Sequence, residues 1–214
     1  MYRLVIILCL ALVLWLPGVA AADMRVERVG PPFDHPWGLD FLTRDTVLVT
    51  ERSGKLFRVD LTNGERTEIS GVPPIHEDGQ GGLLDVMVEG SATVWLCYTA
   101  PRGDDMSSTA IGRGQLDGNA LTDFSRLFLA EPAIDSGHHF GCRLGIMPDG
   151  KLVATLGERG NRDNAQDPMV HPGSVIRLNK NGSAPNDNPY SDGRAWLPEL
   201  FSMGNRNPQG LAIH

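Results

Sequence analysis

A glycine stands just before a short aliphatic run at four places along this chain, and this repeat restricts the possible folds more than any other feature. The copies lie roughly 45 to 67 residues apart, with short strands and Gly or Asp turns between them. A unit repeated in this way is typical of a β-propeller, in which each unit forms one blade of antiparallel strands. The alternative is a two-sheet sandwich, which needs no repeated glycine where its strands begin. The four copies are residues 36–41, 81–86, 140–146 and 208–213.

Short β-branched and aliphatic runs recur between turn residues, whereas helical patterns are scarce. Two turns, Ser53-Gly54 and Asp149-Gly150, are flanked by such runs and predict hairpins. The sequence therefore predicts an all-β protein of consecutive antiparallel strands. The predicted strands are residues 46–51, 55–60, 83–88, 93–99, 151–156 and 174–178.

Residues 1–22 have the pattern of a secretory signal peptide. Arg3 places a positive charge ahead of the apolar run 4–16, and small residues after it provide an Ala-x-Ala cleavage pattern. A membrane anchor needs roughly 18 or more apolar residues, and a Pro-Gly pair interrupts the run before that length. We therefore predict a periplasmic or secreted protein with no stable membrane anchor after removal of the signal peptide.

Acidic residues outnumber basic ones, and the basic residues form no stripe. The sequence has 26 Asp and Glu against 19 Lys and Arg, a net charge of −7. A protein that binds DNA or RNA needs a basic surface that neutralises phosphates. Nucleic acid is therefore not a predicted partner.

Two cysteines, Cys97 and Cys142, remain once Cys9 is removed with the signal peptide. Export brings a protein into oxidising conditions, which permit a disulfide between them. Cys97 also lies in an apolar run, 94–98, so the two residues can instead be small buried hydrophobic side chains. The sequence leaves both alternatives open, and it contains no Cys-x-x-Cys motif for a thiolate zinc site.

Polar side chains come just before three of the repeated glycines. Gln80 precedes the second copy, His138 and His139 precede the third, and Arg206-Asn207 precede the fourth. The loops that open propeller strands converge at one end of the central channel, so we expect these side chains to share a site. A neutral histidine can take a proton from a hydroxyl, and a guanidinium can stabilise developing negative charge. The set suits oxidation of an alcohol, although each residue taken alone is also compatible with an ordinary loop.

Glu158 follows the strand that starts soon after His139. A carboxylate there can hold one tautomer of the His139 imidazole through a hydrogen bond. The alternative is that Glu158 and Arg159 form a solvated loop pair of the common, weak kind. From the sequence alone, both interpretations stand.

The fourth copy of the repeat has no second strand after it, because the sequence ends at His214. About three blades and the start of a fourth are therefore expected, whereas propellers typically close with about four to eight. We expect residues 23–214 to be the N-terminal part of a larger propeller domain.

The ordered series of motifs resembles the glucose/sorbosone dehydrogenase family, whose members use pyrroloquinoline quinone (PQQ), and in particular the periplasmic soluble aldose sugar dehydrogenases. The resemblance covers nearly the whole mature chain and implies a six-bladed propeller with the quinone over its central channel. Cys142 stands where the family usually has a small residue such as glycine. The matching stretches are His35-Pro36-Trp37-Gly38-Leu39, Gly79-Gln80-Gly81-Gly82-Leu83-Leu84-Asp85, His139-Phe140-Gly141-Cys142-Arg143-Leu144, Gly157-Glu158, Asn188-Pro189 and Gly204-Asn205-Arg206-Asn207-Pro208-Gln209-Gly210-Leu211.

The resemblance also implies roles for particular residues. His139 is implied as the base that removes the proton from the anomeric hydroxyl while hydride passes to the quinone, and Glu158 as the residue that orients His139. Arg206 is implied as the cation beside the quinone oxygen, with Gln80 and Asn207 as further cofactor contacts.

Two further expectations concern the sugar and the metal. Asp163 stands where relatives can carry an amide that touches the sugar, so it is a candidate substrate contact. The family also binds calcium, and the resemblance places the calcium ligands beyond residue 214. About half of the site is therefore expected outside this sequence, and these residues alone are expected to be inactive.

The sequence thus predicts an exported quinoprotein that oxidises aldose sugars at C1 to lactones, with PQQ and calcium as cofactors. It does not identify the electron acceptor. Two other interpretations stay open: a non-catalytic propeller that binds sugars or a protein, and a calcium-dependent lactonase that needs no quinone. The lactonase interpretation gives no particular role to Arg206 and Asn207.

Overall fold

The computed structural model describes residues 24–214, which contain twelve β-strands and one short 3-10 helix, Arg162–Gln166. The strands form three four-stranded antiparallel sheets, and in each sheet the strands are neighbours in chain order. The all-β prediction is confirmed, and three such meandering sheets do not fit a two-sheet sandwich. Sheet 1 contains β1 (Pro36–Thr43), β2 (Thr46–Glu51), β3 (Lys55–Asp60) and β4 (Arg66–Ile69); sheet 2 contains β5 (Leu83–Glu89), β6 (Thr93–Pro101), β7 (Ser107–Asp117) and β8 (Ala120–Leu129); sheet 3 contains β9 (Gly141–Ile146), β10 (Leu152–Leu156), β11 (Ser174–Leu178) and β12 (Leu200–Met203).

The first strands of the three sheets lie beside one another, β1 against β5 and β5 against β9. An aspartate marks each of these two junctions. Asp40 of β1 accepts a hydrogen bond from the backbone N–H of Val88 at 2.7 Å, and Asp85 of β5 accepts one from Leu144 at 2.8 Å. Burial raises the pKa of Asp85, although Arg143 donates to its carboxylate at 2.8 Å. A contact repeated from one sheet to the next gives each sheet a similar rotation, as in the blades of a propeller.

Residues 209–213 lie against β9, on the side where a fourth inner strand is expected. The backbone carbonyl of Gln209 accepts a hydrogen bond from Arg143 at 2.8 Å, and that of Pro208 accepts one from Thr155 at 2.8 Å. The Leu211 side chain packs against the same strand at Gly145. The strand predicted at 208–213 does not form, because a strand needs a hydrogen-bonded partner and the described residues provide none there.

Hydrophobic side chains fill the two spaces between neighbouring sheets. Leu48 and Leu56 of sheet 1 pack with Leu96 of sheet 2 in one cluster, and Trp95 of sheet 2 packs with Ile176 of sheet 3 in the other. All five side chains are fully buried. The core therefore lies between the sheets and fixes their order around a common axis.

Cys97 of β6 and Cys142 of β9 form a disulfide with an S–S distance of 2.03 Å. The bond joins sheet 2 to sheet 3, and both residues are completely buried. The alternative, that the two cysteines are unpaired small hydrophobic side chains, is wrong about the pairing. Its expectation that both side chains are buried is correct.

The predicted signal peptide, residues 1–22, lies outside the described residues. Across residues 24–214, no helix has the length and apolar character needed to span a membrane.

Candidate active site

Four loop segments that carry the predicted site residues are joined by hydrogen bonds at the start of β9 and the end of β10. The backbone N–H of His139 donates to Oε1 of Gln80 at 2.9 Å. The backbone N–H of Gly141 donates to Oδ1 of Asn207 at 3.0 Å, and that of Glu158 donates to the carbonyl of Arg206 at 2.9 Å. Residues as far apart in the chain as Gln80 and Asn207 therefore meet at one place, as the repeat predicted.

His139 and Glu158 form a buried pair at the centre of these segments. Nδ1 of His139 lies 2.8 Å from both carboxylate oxygens of Glu158. Only 11% of the His139 side chain and 4% of the Glu158 side chain are exposed. The backbone N–H of Gly160 donates a further bond, 2.6 Å long, to Oε2 of Glu158. The prediction that Glu158 contacts the His139 imidazole therefore matches the geometry.

The pairing determines which imidazole nitrogen is free to act as a base. A carboxylate acceptor keeps the proton on Nδ1 of His139, so in the neutral ring the lone pair is on Nε2. Within residues 24–214, Nε2 has no hydrogen-bond partner and is not sealed in the interior. The site thus presents a basic nitrogen with a fixed tautomer.

Glycine and strained backbone bring the two residues of the pair together. A Cβ at Gly157 would lie 2.0 Å from the carbonyl oxygen of His139, so only glycine allows Glu158 to begin its loop here. His139 itself has φ of +54°, a left-handed conformation that is costly for a side chain other than glycine. Tertiary contacts must hold that backbone in place.

Gln80 and Asn207 use their side-chain oxygens to bind backbone N–H groups, as described above. Their NH2 groups make no hydrogen bond within the described part of the chain. A role of these two residues as cofactor contacts stays a prediction, and their amide nitrogens are the groups left free to donate to a cofactor.

The Arg206 side chain is exposed, and its guanidinium has no hydrogen bond or ion pair to residues 24–214. Its backbone is fixed, because its carbonyl accepts the bond from Glu158 and the neighbouring Asn205 N–H donates to the carbonyl of Gly173 at 2.9 Å. Arg206 therefore offers an exposed guanidinium, without a partner in the described residues, on a backbone segment that is hydrogen-bonded to Glu158.

Asp163 is not brought into this network. It lies on the 3-10 helix, its side chain is 88% exposed, and its backbone N–H donates to the side chain of Asn161 at 3.2 Å. It contacts neither His139 nor Arg206 in the described residues, so its role as a sugar contact stays a prediction. His138 is exposed as well and belongs to the loop.

Arg159 is the residue that sequence reasoning missed. The interpretation of Glu158 and Arg159 as a solvated loop pair is wrong, because both residues are 3% exposed. The Arg159 guanidinium donates to backbone and hydroxyl oxygens and lies 3.9 Å from the centroid of the Phe140 ring. Glycines on both sides, at 157 and 160, were the only sequence signal of an unusual conformation here.

The side chains present fit an anionic, oxygen-rich ligand such as PQQ. Their groups without a partner in the described residues are all donors, namely the Arg206 guanidinium and the amide nitrogens of Gln80 and Asn207, and they belong to segments hydrogen-bonded to the His139 and Glu158 loops. Donors of this kind suit the carboxylates and carbonyls of a quinone. Calcium is different, since no group of three or more His, Cys, Asp or Glu suited to a metal occurs in the described residues.

Comparison with known protein families gives a match over most of the chain. The family model described as glucose / sorbosone dehydrogenase matches residues 33–214. The chain belongs to this family. The family model includes every segment of the hydrogen-bonded network, from Gln80 to Asn207.

Relatives within the family include sugar dehydrogenases. The chain is 38% identical over 220 residues to aldose sugar dehydrogenase YliI of Escherichia coli strain K12, a match that covers 100% of this chain and 58% of that protein. The crystal structure of the soluble aldose sugar dehydrogenase of Escherichia coli in its apo form has a TM-score of 0.79 and 39% identity, and covers 84% of this chain and 54% of that one. The PQQ-bound aldose sugar dehydrogenase of Streptomyces coelicolor has a TM-score of 0.73 and 27% identity, and covers 85% and 54%. The chain thus spans between half and three fifths of these family members.

Proposed function

We propose that this chain forms part of an aldose sugar dehydrogenase that oxidises the C1 hydroxyl of an aldose to the lactone, with PQQ as cofactor. The observation that carries the proposal is the buried His139–Glu158 pair, which fixes the imidazole tautomer and leaves Nε2 without a hydrogen-bond partner in the described residues. Membership of the glucose/sorbosone dehydrogenase family and the PQQ-bound relative support it further.

His139 acts as the general base in this proposal. Its Nε2 takes the proton of the C1 hydroxyl as the C1 hydrogen departs with its electron pair and the C–O bond becomes a carbonyl. Glu158 keeps the Nδ1 proton in place and stabilises the positive charge that the imidazole gains. When bound, PQQ supplies the acceptor for the hydride.

Three side chains hold the quinone in this proposal. The Arg206 guanidinium would stabilise the negative charge that grows on a quinone oxygen, and the amide nitrogens of Gln80 and Asn207 would donate to further oxygens. Asp163 contributes a sugar contact, and calcium binds through ligands beyond residue 214.

The remaining proposals concern the whole protein. Residues 1–22 direct export to the periplasm or the outside of the cell, and residues 23–214 form the N-terminal part of a propeller domain. The arrangement does not specify the electron acceptor.

Reconstitution tests the function directly. Full-length protein is loaded with PQQ and Ca²⁺, and reduction of an artificial acceptor dye is measured with and without glucose. Glucose-dependent reduction that requires added PQQ supports the proposal. Sugar binding without dye reduction points to a non-catalytic propeller, and hydrolysis of gluconolactone without PQQ points to a lactonase; either result overturns the proposal.

A further inference from the structure

Arg159 is a buried cation without a carboxylate partner. Its guanidinium donates to the carbonyl of Ser107 at 3.1 Å and to its hydroxyl at 2.9 Å, and also to the carbonyls of Ile134 at 3.2 Å and Ser136 at 2.5 Å. Among residues 24–214 no carboxylate forms an ion pair with it, although the charge of Asp78 acts on it from a longer distance and favours its protonated form. Burial lowers its pKa to about 10, which leaves it positively charged at neutral pH.

Such a charge is costly unless its donors are satisfied. A buried charge that lacks an opposite charge depends on hydrogen bonds and polarisable neighbours to offset the loss of water. The four bonds, all from the two terminal nitrogens, go to two separate segments, the start of β7 at Ser107 and the loop at Ile134 and Ser136, while Nε is buried without a partner. That loop continues directly into His139, so Arg159 ties the chain before His139 to sheet 2.

Arg159 also holds His139 from the other side. Its backbone N–H donates to the His139 carbonyl at 3.2 Å, and its guanidinium covers the face of the Phe140 ring at 3.9 Å. A guanidinium over an aromatic face at this distance is attractive. The residues before and after His139 are therefore both fixed by the one side chain that follows Glu158.

We propose that Arg159 is a positioning residue that clamps the loop 134–140 and so keeps the strained His139 directed at Glu158. His139 has φ of +54°, and such a conformation persists only where its surroundings hold it. Loss of the clamp lets the His139 backbone relax, and the Nδ1 contact with Glu158 weakens. The consequence for turnover rests on the proposed function, whereas the consequence for the His139–Glu158 hydrogen bond does not.

Substitutions at Arg159 are compared with matched substitutions at Arg177. Arg177 is also buried, and it clamps Asp149 and Asp187 at the opposite end of sheet 3 from His139. Arg159→Lys and Arg159→Met are made in the full-length protein beside Arg177→Lys and Arg177→Met. The lysine variants keep the positive charge but lack the planar guanidinium that bonds several acceptors at once. They replace the methionine variants in the measurements if the methionine variants do not fold.

Two measurements decide the proposal. The first is the downfield proton NMR signal of the His139 Nδ1–H bound to Glu158, which is assigned by its absence in His139→Gln. The second is kcat for glucose at saturating PQQ. We expect the Arg159 variants to lose or broaden the signal and to lower kcat by about 10- to 100-fold, while the Arg177 variants keep both.

Two results would contradict the proposed role of Arg159. A full signal in the Arg159 variants, or an equal loss in the Arg177 variants, shows that Arg159 gives only general stability. The NMR signal needs neither sugar nor quinone. If wild-type protein shows no glucose oxidation, the proposed function fails, and the signal still decides the role of Arg159.

Discussion

The Cys97–Cys142 disulfide is expected to contribute a large part of the stability of this protein. The two cysteines are 45 residues apart in the chain, so the bond closes a long loop of the unfolded polypeptide. For a loop of this length, the loss of chain entropy in the unfolded state is about 13 cal/mol/K, or about 4 kcal/mol at 25 °C. Reduction removes this restriction, and we expect the free energy of unfolding to fall by that amount.

Urea unfolding of oxidised and reduced protein measures the effect. Small proteins lose about 1–3 kcal/mol of stability per molar urea, so a loss of about 4 kcal/mol lowers the midpoint by about 1 to 4 M. The double variant Cys97→Ala/Cys142→Ala is the control, because its midpoint must not respond to the reductant. Both alanines keep a Cβ, so the strain at Cys142, with φ of +74°, is the same in the variant.

One result refutes this reasoning. If reduced wild-type protein, with both thiols counted after denaturation, unfolds at the same urea concentration as oxidised protein, the link between sheet 2 and sheet 3 does not restrict the unfolded chain. A shift that also occurs in the double alanine variant points instead to an effect of the reductant on the solvent or on other groups.

Two further substitutions test the packing of the site and the pH dependence of stability. Gly157→Ala places a methyl group on the His139 carbonyl, so it is expected to lower the free energy of unfolding by about 3 kcal/mol or more. Gly210→Ala is the control, because no atom lies within 4 Å of the added methyl group, and its free energy of unfolding is expected to stay within about 0.5 kcal/mol of wild type in the same urea titration. Equal losses of stability in the two variants contradict the proposed packing at Gly157. A hydrogen bond from Arg177 lowers the pKa of Asp187, so this carboxylate stabilises the fold above its unfolded pKa of about 3.9 and loses that effect as the pH falls through its lower folded pKa. Stability measured between pH 6 and 3 is therefore expected to fall less steeply in Asp187→Asn than in wild type, and parallel curves contradict this.

The strands that the sequence revealed are those whose buried positions hold mainly aliphatic or aromatic side chains. β2 and β3 occupy residues 46–51 and 55–60 as predicted, and their ladder runs from Thr46 opposite Asp60 to Glu51 opposite Lys55. β7 and β8 were not predicted. β7 is buried over Ser107–Gly112, but Ser, Thr, Ala and Gly occupy most of these positions, whereas β8 is largely half-buried or exposed and carries Thr, Asp, Ser and Arg. Their hydrophobic pattern is too weak to distinguish them from loops.

The candidate site was predicted from the position of each polar residue relative to a repeated glycine. That pattern indicates which loops meet, and Gln80, His139 and Arg206 do lie on joined segments. The pattern does not indicate which atoms form hydrogen bonds with each other. The bond from the His139 backbone N–H to the Gln80 side-chain oxygen was therefore not predicted. The burial of Arg159 was missed as well, since a charged residue in a Gly-rich loop is ordinarily solvated.

The central claim is that His139, held by Glu158, removes the proton during quinone-dependent aldose oxidation. Rapid mixing of glucose with PQQ-loaded full-length protein measures the rate at which the bound quinone is reduced, in wild type and in His139→Gln at equal quinone occupancy. We predict a rate lower by about 100-fold or more in the variant, because general bases contribute at least that much. A variant that reduces its quinone within a few-fold of the wild-type rate contradicts the claim.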